Sequence, residues 1–163
     1  MCGICGIVHF DTRKVDDAQL LTMMKAMKHR GPDDEGVFTE GSMGLGFVRL
    51  SIIDLSYDGH QPMISEDGNL VVVFNGEIYN YIEIRQQLSA KYRFKTKTDT
   101  EVILNAFREW GKDCLHRFNG MFAFAVYDRS EKELFIARDR FGIKPFYYYT
   151  DAQGFYFASE ITP

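Results

Sequence analysis

The sequence predicts an α+β domain in which two β-sheets pack together and helices cover their outer faces. Three observations support this prediction. Short apolar runs typical of strands outnumber amphipathic helical stretches, 45% of the 163 residues are hydrophobic, and 15% are aromatic. Such a composition is typical of a folded globular chain. A chain of 163 residues can bury one real core but not comfortably two, so we expect a single domain over residues 1–163.

The individual elements are predicted from apolar periodicity. Strands are expected at residues 4–10, 44–48, 70–74, 121–127, 133–137, 146–150 and 155–158. Amphipathic helices are expected at residues 16–28, 79–90 and 100–110. The last helix has a start signal, because Thr98 and Glu101 have the spacing of a capping box in which the glutamate reaches back to the backbone of the threonine.

Charge and terminal sequence exclude several classes of function. The formal net charge of −4 leaves no Lys/Arg excess to neutralise phosphates, so we expect no nucleic-acid partner. No apolar run approaches the roughly 20 residues of a membrane span. The start of the chain lacks the basic residues and long apolar core of a signal peptide, which makes the cytoplasm the expected location. Three cysteines far apart do not form a disulfide framework.

The tripeptide Met1-Cys2-Gly3 is the most informative short motif. Removal of the initiator methionine before a small residue would leave Cys2 with a free α-amine. The amine has a reference pKa of about 7.7–8.0 and the thiol one of about 8.5, so the amine can act as a base for the thiol at neutral pH. The motif therefore predicts a nucleophile and its base on the same residue.

Two other interpretations of Cys2 remain open from the sequence alone. Cys2 and Cys5 form a C-x-x-C pattern that could serve redox chemistry or half of a zinc site. A strand would point residues three apart to opposite faces, however, and a second ligand pair could come only from Cys114 with His116. Cys2 could also be a small hydrophobic residue without chemistry.

Seven segments occur in a particular order along the chain. They are Cys2-Gly3-Ile4, His29-Arg30-Gly31-Pro32-Asp33, Arg49-Leu50-Ser51-Ile52-Ile53-Asp54, Asn75-Gly76-Glu77-Ile78-Tyr79-Asn80, Thr98-Asp99-Thr100-Glu101-Val102, Gly120-Met121-Phe122-Ala123-Phe124 and Ala137-Arg138-Asp139-Arg140-Phe141-Gly142-Ile143-Lys144-Pro145. Together they resemble the glutaminase domain of asparagine synthetase, a class II (N-terminal nucleophile) glutamine amidotransferase. The resemblance implies a four-layer αββα sandwich of two mainly antiparallel sheets, as in N-terminal nucleophile hydrolases.

The resemblance implies which residues bind glutamine, a zwitterion with a neutral side-chain amide. Arg49 would hold the α-carboxylate, for which its bidentate guanidinium is suited. Backbone groups of the segment that follows would form the rim of the pocket: Leu50, Ser51, Ile52 and Ile53. Glu77 and Asp99 would hold the α-ammonium. The structural alternatives are a solvated arginine at a strand end for Arg49 and a favourable acid in the first turn of a helix for Asp99.

The resemblance also implies the reacting groups. Cys2 would be the nucleophile, and the Asn75 side chain with the Gly76 N–H would form the oxyanion hole. The structural alternative for this pair is a strand-to-helix turn, because Asn-Gly is a common turn dipeptide. His29 and Arg30 are expected to order the pocket rather than perform the chemistry. The segment at residues 138–145 is expected mainly to pack as a turn and a strand.

The resemblance implies partners beyond this chain. No cofactor or metal is expected in this domain. A Ser-Gly-Gly-rich loop for ATP occurs nowhere in the sequence, so ATP and Mg²⁺ belong to a covalently attached C-terminal synthetase domain, expected beyond Pro163. The full-length reaction would convert aspartate, glutamine and ATP to asparagine, glutamate, AMP and pyrophosphate. A homodimer is compatible with the resemblance.

Phe47, where many relatives carry histidine, leaves open another acceptor such as a sugar. A catalytically silent supporting domain is the remaining alternative.

Overall fold

The computed structural model describes residues 1–52 and 56–161. Within them the strands are β1 (Gly3–His9), β2 (Asp34–Glu40), β3 (Met43–Arg49), β4 (Met63–Ile64), β5 (Leu70–Ile78), β6 (Gly120–Asp128), β7 (Glu133–Arg138), β8 (Tyr147–Thr150) and β9 (Gly154–Ala158). The α-helices are α1 (Asp17–Ala26), α2 (Tyr81–Leu88) and α3 (Asp99–Trp110). Short 3-10 turns lie at Lys28–Arg30, Tyr57–Gly59 and Gly111–His116.

The strands form two antiparallel sheets. One sheet has the strand order β2-β3-β1-β9-β8, and the other has the order β4-β5-β6-β7. The N-terminal strand β1 is therefore central in its sheet, where Gly3 lies opposite Val48 of β3. This register brings the start of the chain beside Arg49, the last residue of β3.

Three apolar clusters separate four layers. On β5, alternate residues point to opposite faces, so Val71 and Val73 pack between the two sheets whereas Val72 and Phe74 pack under α2 and α3. On the outer face of the other sheet, Leu20 of α1 packs in a third cluster. The layers are thus helix, sheet, sheet and helix, and the predicted αββα sandwich is confirmed.

Every predicted strand and helix is present, but two strands were not predicted. Strand β2 lies at a sheet edge and contains Asp34, Glu35 and Gly36, so its apolar pattern is weak. Strand β4 has only two residues. Strand β5 also continues to Ile78, past the predicted end at residue 74, because the polar positions after Phe74 still pair with β6. No helix in the described ranges is long and apolar enough to cross a membrane.

The capping box predicted at α3 is half correct. The Thr98 hydroxyl accepts the Glu101 backbone N–H at 3.3 Å, as expected for an N-cap. The Glu101 carboxylate does not reach back to Thr98, however. It accepts the backbone N–H groups of Lys95 and Thr96 at 2.8 and 2.7 Å, while the Thr98 N–H donates to the Thr96 hydroxyl at 3.2 Å. The loop before α3 therefore donates to the Glu101 carboxylate in place of the Thr98 N–H, which the capping box would use.

Candidate active site

A cavity of about 110 Å³ lies where β1, β3 and β5 meet the start of α3. It brings together residues that are far apart in the sequence. Eight of the predicted site residues line it: Cys2, Arg49, Leu50, Ile52, Asn75, Gly76, Glu77 and Asp99. The strand register explains the convergence, because the start of β1, the end of β3 and the polar end of β5 all point toward the N-terminus of α3.

Cys2 is half-buried at one side of this cavity. Its Sγ accepts the Leu50 N–H at 3.4 Å and lies 3.6 Å from the Leu50 carbonyl oxygen. Burial raises the pKa of the Cys2 thiol, although the Leu50 N–H, the N-terminal charge, Arg49 and Lys144 oppose this effect. The thiol is therefore protonated at neutral pH and needs a base. Met1 precedes it and lines the same cavity.

Cys5 points away from Cys2, as the strand interpretation predicted. Cys5 is fully buried beneath α1, in the cluster that contains Leu20 and Met24. Cys2 instead contacts the cluster between the two sheets. The two sulfurs thus lie on opposite faces of β1. Among residues 1–52 and 56–161, no group of three or more His, Cys, Asp or Glu side chains is arranged to hold a metal ion.

Arg49 is held beneath the loop that follows β3. Only 7% of its surface is exposed, and its Nη1 donates to the Ser56 carbonyl at 2.8 Å. Gly59 leaves room for the guanidinium, because a Cβ at that position would overlap Arg49 Nη2. A solvated arginine at a strand end does not fit this arrangement, so that alternative is wrong. The guanidinium is instead a buried cation at the cavity wall.

Asn75 and Gly76 lie within β5, opposite Ala123 and Phe122 of β6, so the turn interpretation is wrong. A Cβ on Gly76 would overlap the Met121 carbonyl oxygen, which explains why a glycine occupies this strand position. Asn75 is 1% exposed, and its Nδ2 is buried without a hydrogen-bond partner in the described part of the chain. Leaving such a donor unpaired costs about 1–3 kcal/mol, so a donor retained at a cavity wall indicates a ligand.

Asp99 and Glu77 place two carboxylates at the wall of the cavity. Asp99 is the first residue of α3, and its Oδ2 accepts the Ile78 N–H at 3.0 Å. Burial raises the pKa of Asp99 to about 6, although backbone N–H groups oppose the shift, and the nearby charge of Glu77 adds to it. A carboxylate that only stabilised the helix dipole could stay at the surface, so that role does not explain why Asp99 is buried. This pair is suited to a cationic ligand group.

One predicted rim residue, Ser51, does not line this cavity. The Ser51 N–H donates to Asp33 Oδ2 at 2.8 Å, and Ser51 lines a separate cavity on the other side of Arg49. The hydrogen bond to Asp33 thus fixes the Ser51 backbone beside Arg49, and its role at the pocket rim stays a prediction. Ile53 lies outside the described residues. Leu50 and Ile52 remain as rim residues.

Arg30 contacts the backbone of Cys2, in line with the expectation that it orders the pocket. Its Nε donates to the Cys2 carbonyl oxygen at 3.0 Å, and its Nη1 donates to Glu160 at 3.1 Å. His29 contacts the same carboxylate through Nε2 at 3.0 Å. Both residues therefore support the backbone around Cys2, and neither lines the cavity.

Sequence reasoning missed two polar residues at the cavity. Gln61 is buried and joins β5 to α3, because its Oε1 accepts the Phe74 N–H at 2.6 Å and its Nε2 donates to Thr100 at 3.2 Å. Lys144 also lines the cavity, although its segment was expected mainly to pack. The sequence offered one signal, because Lys144 lies close to Asp139 in the segment at residues 138–145. It did not show where the lysine ammonium would point.

The comparisons with known proteins identify the family of the chain. The sequence profile of the glutamine amidotransferase domain matches residues 1–163. The putative asparagine synthetase [glutamine-hydrolyzing] 2 of Methanocaldococcus jannaschii is 46% identical to this chain, over 99% of the chain and 34% of the relative. Asparagine synthetase [glutamine-hydrolyzing] 1 of Bacillus subtilis is 46% identical over 98% of the chain and 26% of the relative. The chain thus spans about a third or less of the length of these two relatives.

A solved structure supports the fold. Glutamine phosphoribosylpyrophosphate amidotransferase from Bacillus subtilis, in complex with ADP and GMP, superposes with a TM-score of 0.80. The match covers 98% of this chain and 42% of that chain, at 23% sequence identity. At this identity the similarity establishes a common architecture, and the site has to be argued from the residues of this chain.

Proposed function

The chain belongs to the glutamine amidotransferase domain family, and we propose that it releases ammonia from the side chain of L-glutamine through a thioester on Cys2. One observation supports this proposal above the others. The Cys2 thiol and the unpartnered Asn75 amide face one small cavity, whose walls also carry one buried guanidinium and two carboxylates. These groups are complementary to an amino-acid zwitterion with a neutral side-chain amide.

Binding of the substrate would use charges at fixed positions. The Arg49 guanidinium would hold the α-carboxylate by charge-assisted hydrogen bonds. Asp99 and Glu77 would hold the α-ammonium, and a cation there would offset the repulsion between the two carboxylates. The side-chain amide would then extend toward Cys2 and Asn75.

The chemistry would proceed as acyl transfer once Met1 is removed. The α-amine of Cys2 accepts the thiol proton, directly or through a water, and the sulfur forms a bond to the amide carbon. The Asn75 Nδ2–H and the Gly76 N–H stabilise the oxygen as it becomes negative. The α-ammonium returns its proton to the leaving nitrogen, and ammonia departs from a thioester. Water, deprotonated by the same amine, attacks the thioester, so that glutamate leaves and the thiol is regenerated.

The function of the longer protein is part of the same proposal. The relatives are named glutamine-hydrolyzing asparagine synthetases, and this chain covers 34% and 26% of two of them. We infer that the chain is the ammonia-supplying half of such an enzyme. ATP and Mg²⁺ would then act in a covalently attached synthetase domain, with aspartate as the acceptor. Three free cysteines fit a reducing compartment, which supports the cytoplasm as location.

Glutamate release from glutamine tests the proposal, in protein whose N-terminus is shown by mass spectrometry to be Cys2. Cys2→Ala should abolish release, because Cys2 is the only thiol among the described residues that line the cavity. Cys114→Ala is the matched control, since Cys114 is buried in the cluster under α2 and α3. Release at the full rate by Cys2→Ala would refute the proposed mechanism. Inactivity of wild type and control alike would favour a silent supporting domain.

A further inference from the structure

Lys144 is a buried cation on the Cys2 side of the cavity. It lies in the loop between β7 and β8, is 6% exposed, and lines the cavity beside Met1 and Cys2. Its Nζ lies 3.3 Å from the Met1 Sδ, and no carboxylate of the described residues forms an ion pair with it. Burial of an ammonium without a counter-ion is costly, so lysines are rarely buried unless they are paired. Packing alone does not explain this position.

The backbone around Lys144 is fixed on both sides. The Asp139 carboxylate accepts the N–H groups of Ile143 and Lys144 at 2.9 and 3.1 Å. The Arg138 Nε donates to the Lys144 carbonyl oxygen at 2.6 Å. The loop therefore holds both the N–H and the C=O of this residue. These hydrogen bonds fix the backbone of Lys144 in a position from which its ammonium reaches the cavity.

The ammonium is close to the groups that would react. The Met1 sulfur is five covalent bonds from the backbone nitrogen of Cys2, so the Lys144 Nζ lies within about 10 Å of that nitrogen. Removal of Met1 takes away the thioether contact and turns the Cys2 nitrogen into a primary amine. The lysine then faces the space beside this amine.

On the basis of the glutaminase function proposed above, we propose that Lys144 is a positioning residue whose ammonium increases the unprotonated fraction of the Cys2 α-amine at neutral pH. A like charge disfavours protonation of the amine. At about 10 Å and an effective dielectric constant of about 20, the effect is about one pKa unit. From a reference pKa of 7.7–8.0, this shift raises the unprotonated fraction at pH 7 from about a tenth to about a half. The same field favours the Cys2 thiolate.

Other charged groups also face Cys2, but the substrate would neutralise them. Arg49, Glu77 and Asp99 line the same cavity, and in the proposed complex they bind the carboxylate and the ammonium of glutamine. Arg30 donates to the Cys2 carbonyl oxygen and pairs with Glu160. Lys144 has no counterpart in the zwitterion. Its field at Cys2 therefore persists when the substrate is bound.

The pH dependence of Cys2 alkylation by iodoacetamide tests this inference, in protein that begins at Cys2. The label is read by mass spectrometry of the N-terminal peptide, and the two other cysteines are fully buried. Lys144→Met should move the acid limb of kcat/KM for glutamine, which reports the amine, upward by about one pH unit. The midpoint of the labelling rate, which reports the thiolate, should move in the same direction. Lys144→Arg keeps the charge and should restore the wild-type midpoint. Lys112→Met removes an exposed lysine that pairs with Glu133, and should change nothing.

Each alternative role of Lys144 gives a different result. Equal midpoints in Lys144→Met and wild type would overturn the inference, as would equal shifts in Lys144→Met and Lys144→Arg, which would indicate a structural role. A raised KM with an unmoved midpoint would make Lys144 a substrate-binding residue instead. If thermal denaturation shows that Lys144→Met is unfolded, Lys144→Gln carries the same prediction. Labelling needs no glutamine, so a wild type that releases no glutamate would refute the proposed function without deciding the role of Lys144.

Discussion

The two ends of the cavity differ in how the protein satisfies their polar groups. At the end proposed to bind the substrate, Arg49 donates to Ser56 and Asp99 accepts from Ile78. At the reacting end, the Asn75 Nδ2 has no partner in the described residues, and the Lys144 Nζ lies 3.3 Å from the thioether sulfur of Met1. The groups proposed to bind the charges of the substrate thus have hydrogen-bond partners within the protein. The groups proposed to meet the charge that develops during the reaction are left free to interact with it. Interactions made only in the transition state are those that raise kcat, so we expect the two ends to affect different kinetic constants.

Asn75→Ala should have the largest effect on this comparison. Loss of one oxyanion donor should lower kcat for glutamine by about 10²–10³-fold, with little change in KM. The variant should fold normally, because it removes a buried donor that has no partner. Steady-state glutamate release measures both constants. Asn105→Ala, on α3 and outside the cavity, is the control. A raised KM with an unchanged kcat would move Asn75 to the binding end.

Arg49→Ala should produce the opposite kinetic result. Hydrogen bonds to a charged group contribute about 1.5–3 kcal/mol, so we expect KM for glutamine to rise about tenfold to a hundredfold while kcat changes less. The exposed Arg13, which pairs with Asp11, provides the control variant Arg13→Ala. The rate of glutamate release, measured over a series of glutamine concentrations, gives KM and kcat for both variants and the wild type. An unchanged KM would remove Arg49 from the pocket.

Asp99→Asn should separate binding from stability. The folded-state pKa of Asp99 is raised from 3.8 to about 6, so the ionised carboxylate destabilises the fold above pH 6, and the penalty disappears as the pH falls toward 4. Above pH 6, Asp99→Asn should therefore unfold at a higher Tm than the wild type. Its free energy of unfolding should exceed that of the wild type by about 3 kcal/mol at most. The advantage should vanish near pH 4.

The same substitution should weaken binding, because an amide cannot pair with the α-ammonium. In the wild type, KM for glutamine should rise as the pH falls through about 6, since protonation of Asp99 removes the same charge. This rise should be absent in Asp99→Asn. Denaturation and kinetics measured over the same pH series provide both tests. A variant that is less stable at pH 8 and binds glutamine normally would contradict the assignment.

Gly59→Ala should have the smallest effect. The added methyl group would overlap the Arg49 guanidinium and displace it without removing its charge. We therefore expect a few-fold rise in KM, smaller than that of Arg49→Ala, and a nearly unchanged kcat. Gly41→Ala has no neighbour near the added methyl, but its φ of 58° makes it the control for backbone strain alone. A Gly59→Ala variant with a lower kcat and an unchanged KM would show that Gly59 acts at the reacting end.

Periodicity in the sequence was enough for the layers of the fold, but not for its weakest elements. Val71 to Phe74 alternate between two cores, and this apolar run was recognised as a strand at once. Strand β2 was missed because its charged residues and Gly36 hide the alternation. The polar end of β5 was missed because pairing with β6, rather than local propensity, keeps Asn75 in the strand.

The site was predictable where a residue type carries its own chemistry. An N-terminal cysteine, a strand-end arginine and paired acids could be assigned from the sequence and its resemblance to a family, and all of them line one cavity. Lys144 could not be assigned, because its position depends on how Asp139 folds the loop. The position of Ser51 depends in the same way on a long-range hydrogen bond to Asp33. Both are tertiary effects that no local pattern contains.

Covalent labelling can identify the reactive thiol. A glutamine analogue with an electrophilic ketone in place of its amide is added to protein that begins at Cys2. The labelled residue is mapped by mass spectrometry, and glutamate release is followed in parallel. We predict one label per chain on Cys2, loss of activity in proportion to labelling, and protection by glutamine. A label on Cys5 or Cys114, or full glutamate release by protein already labelled on Cys2, would contradict the account.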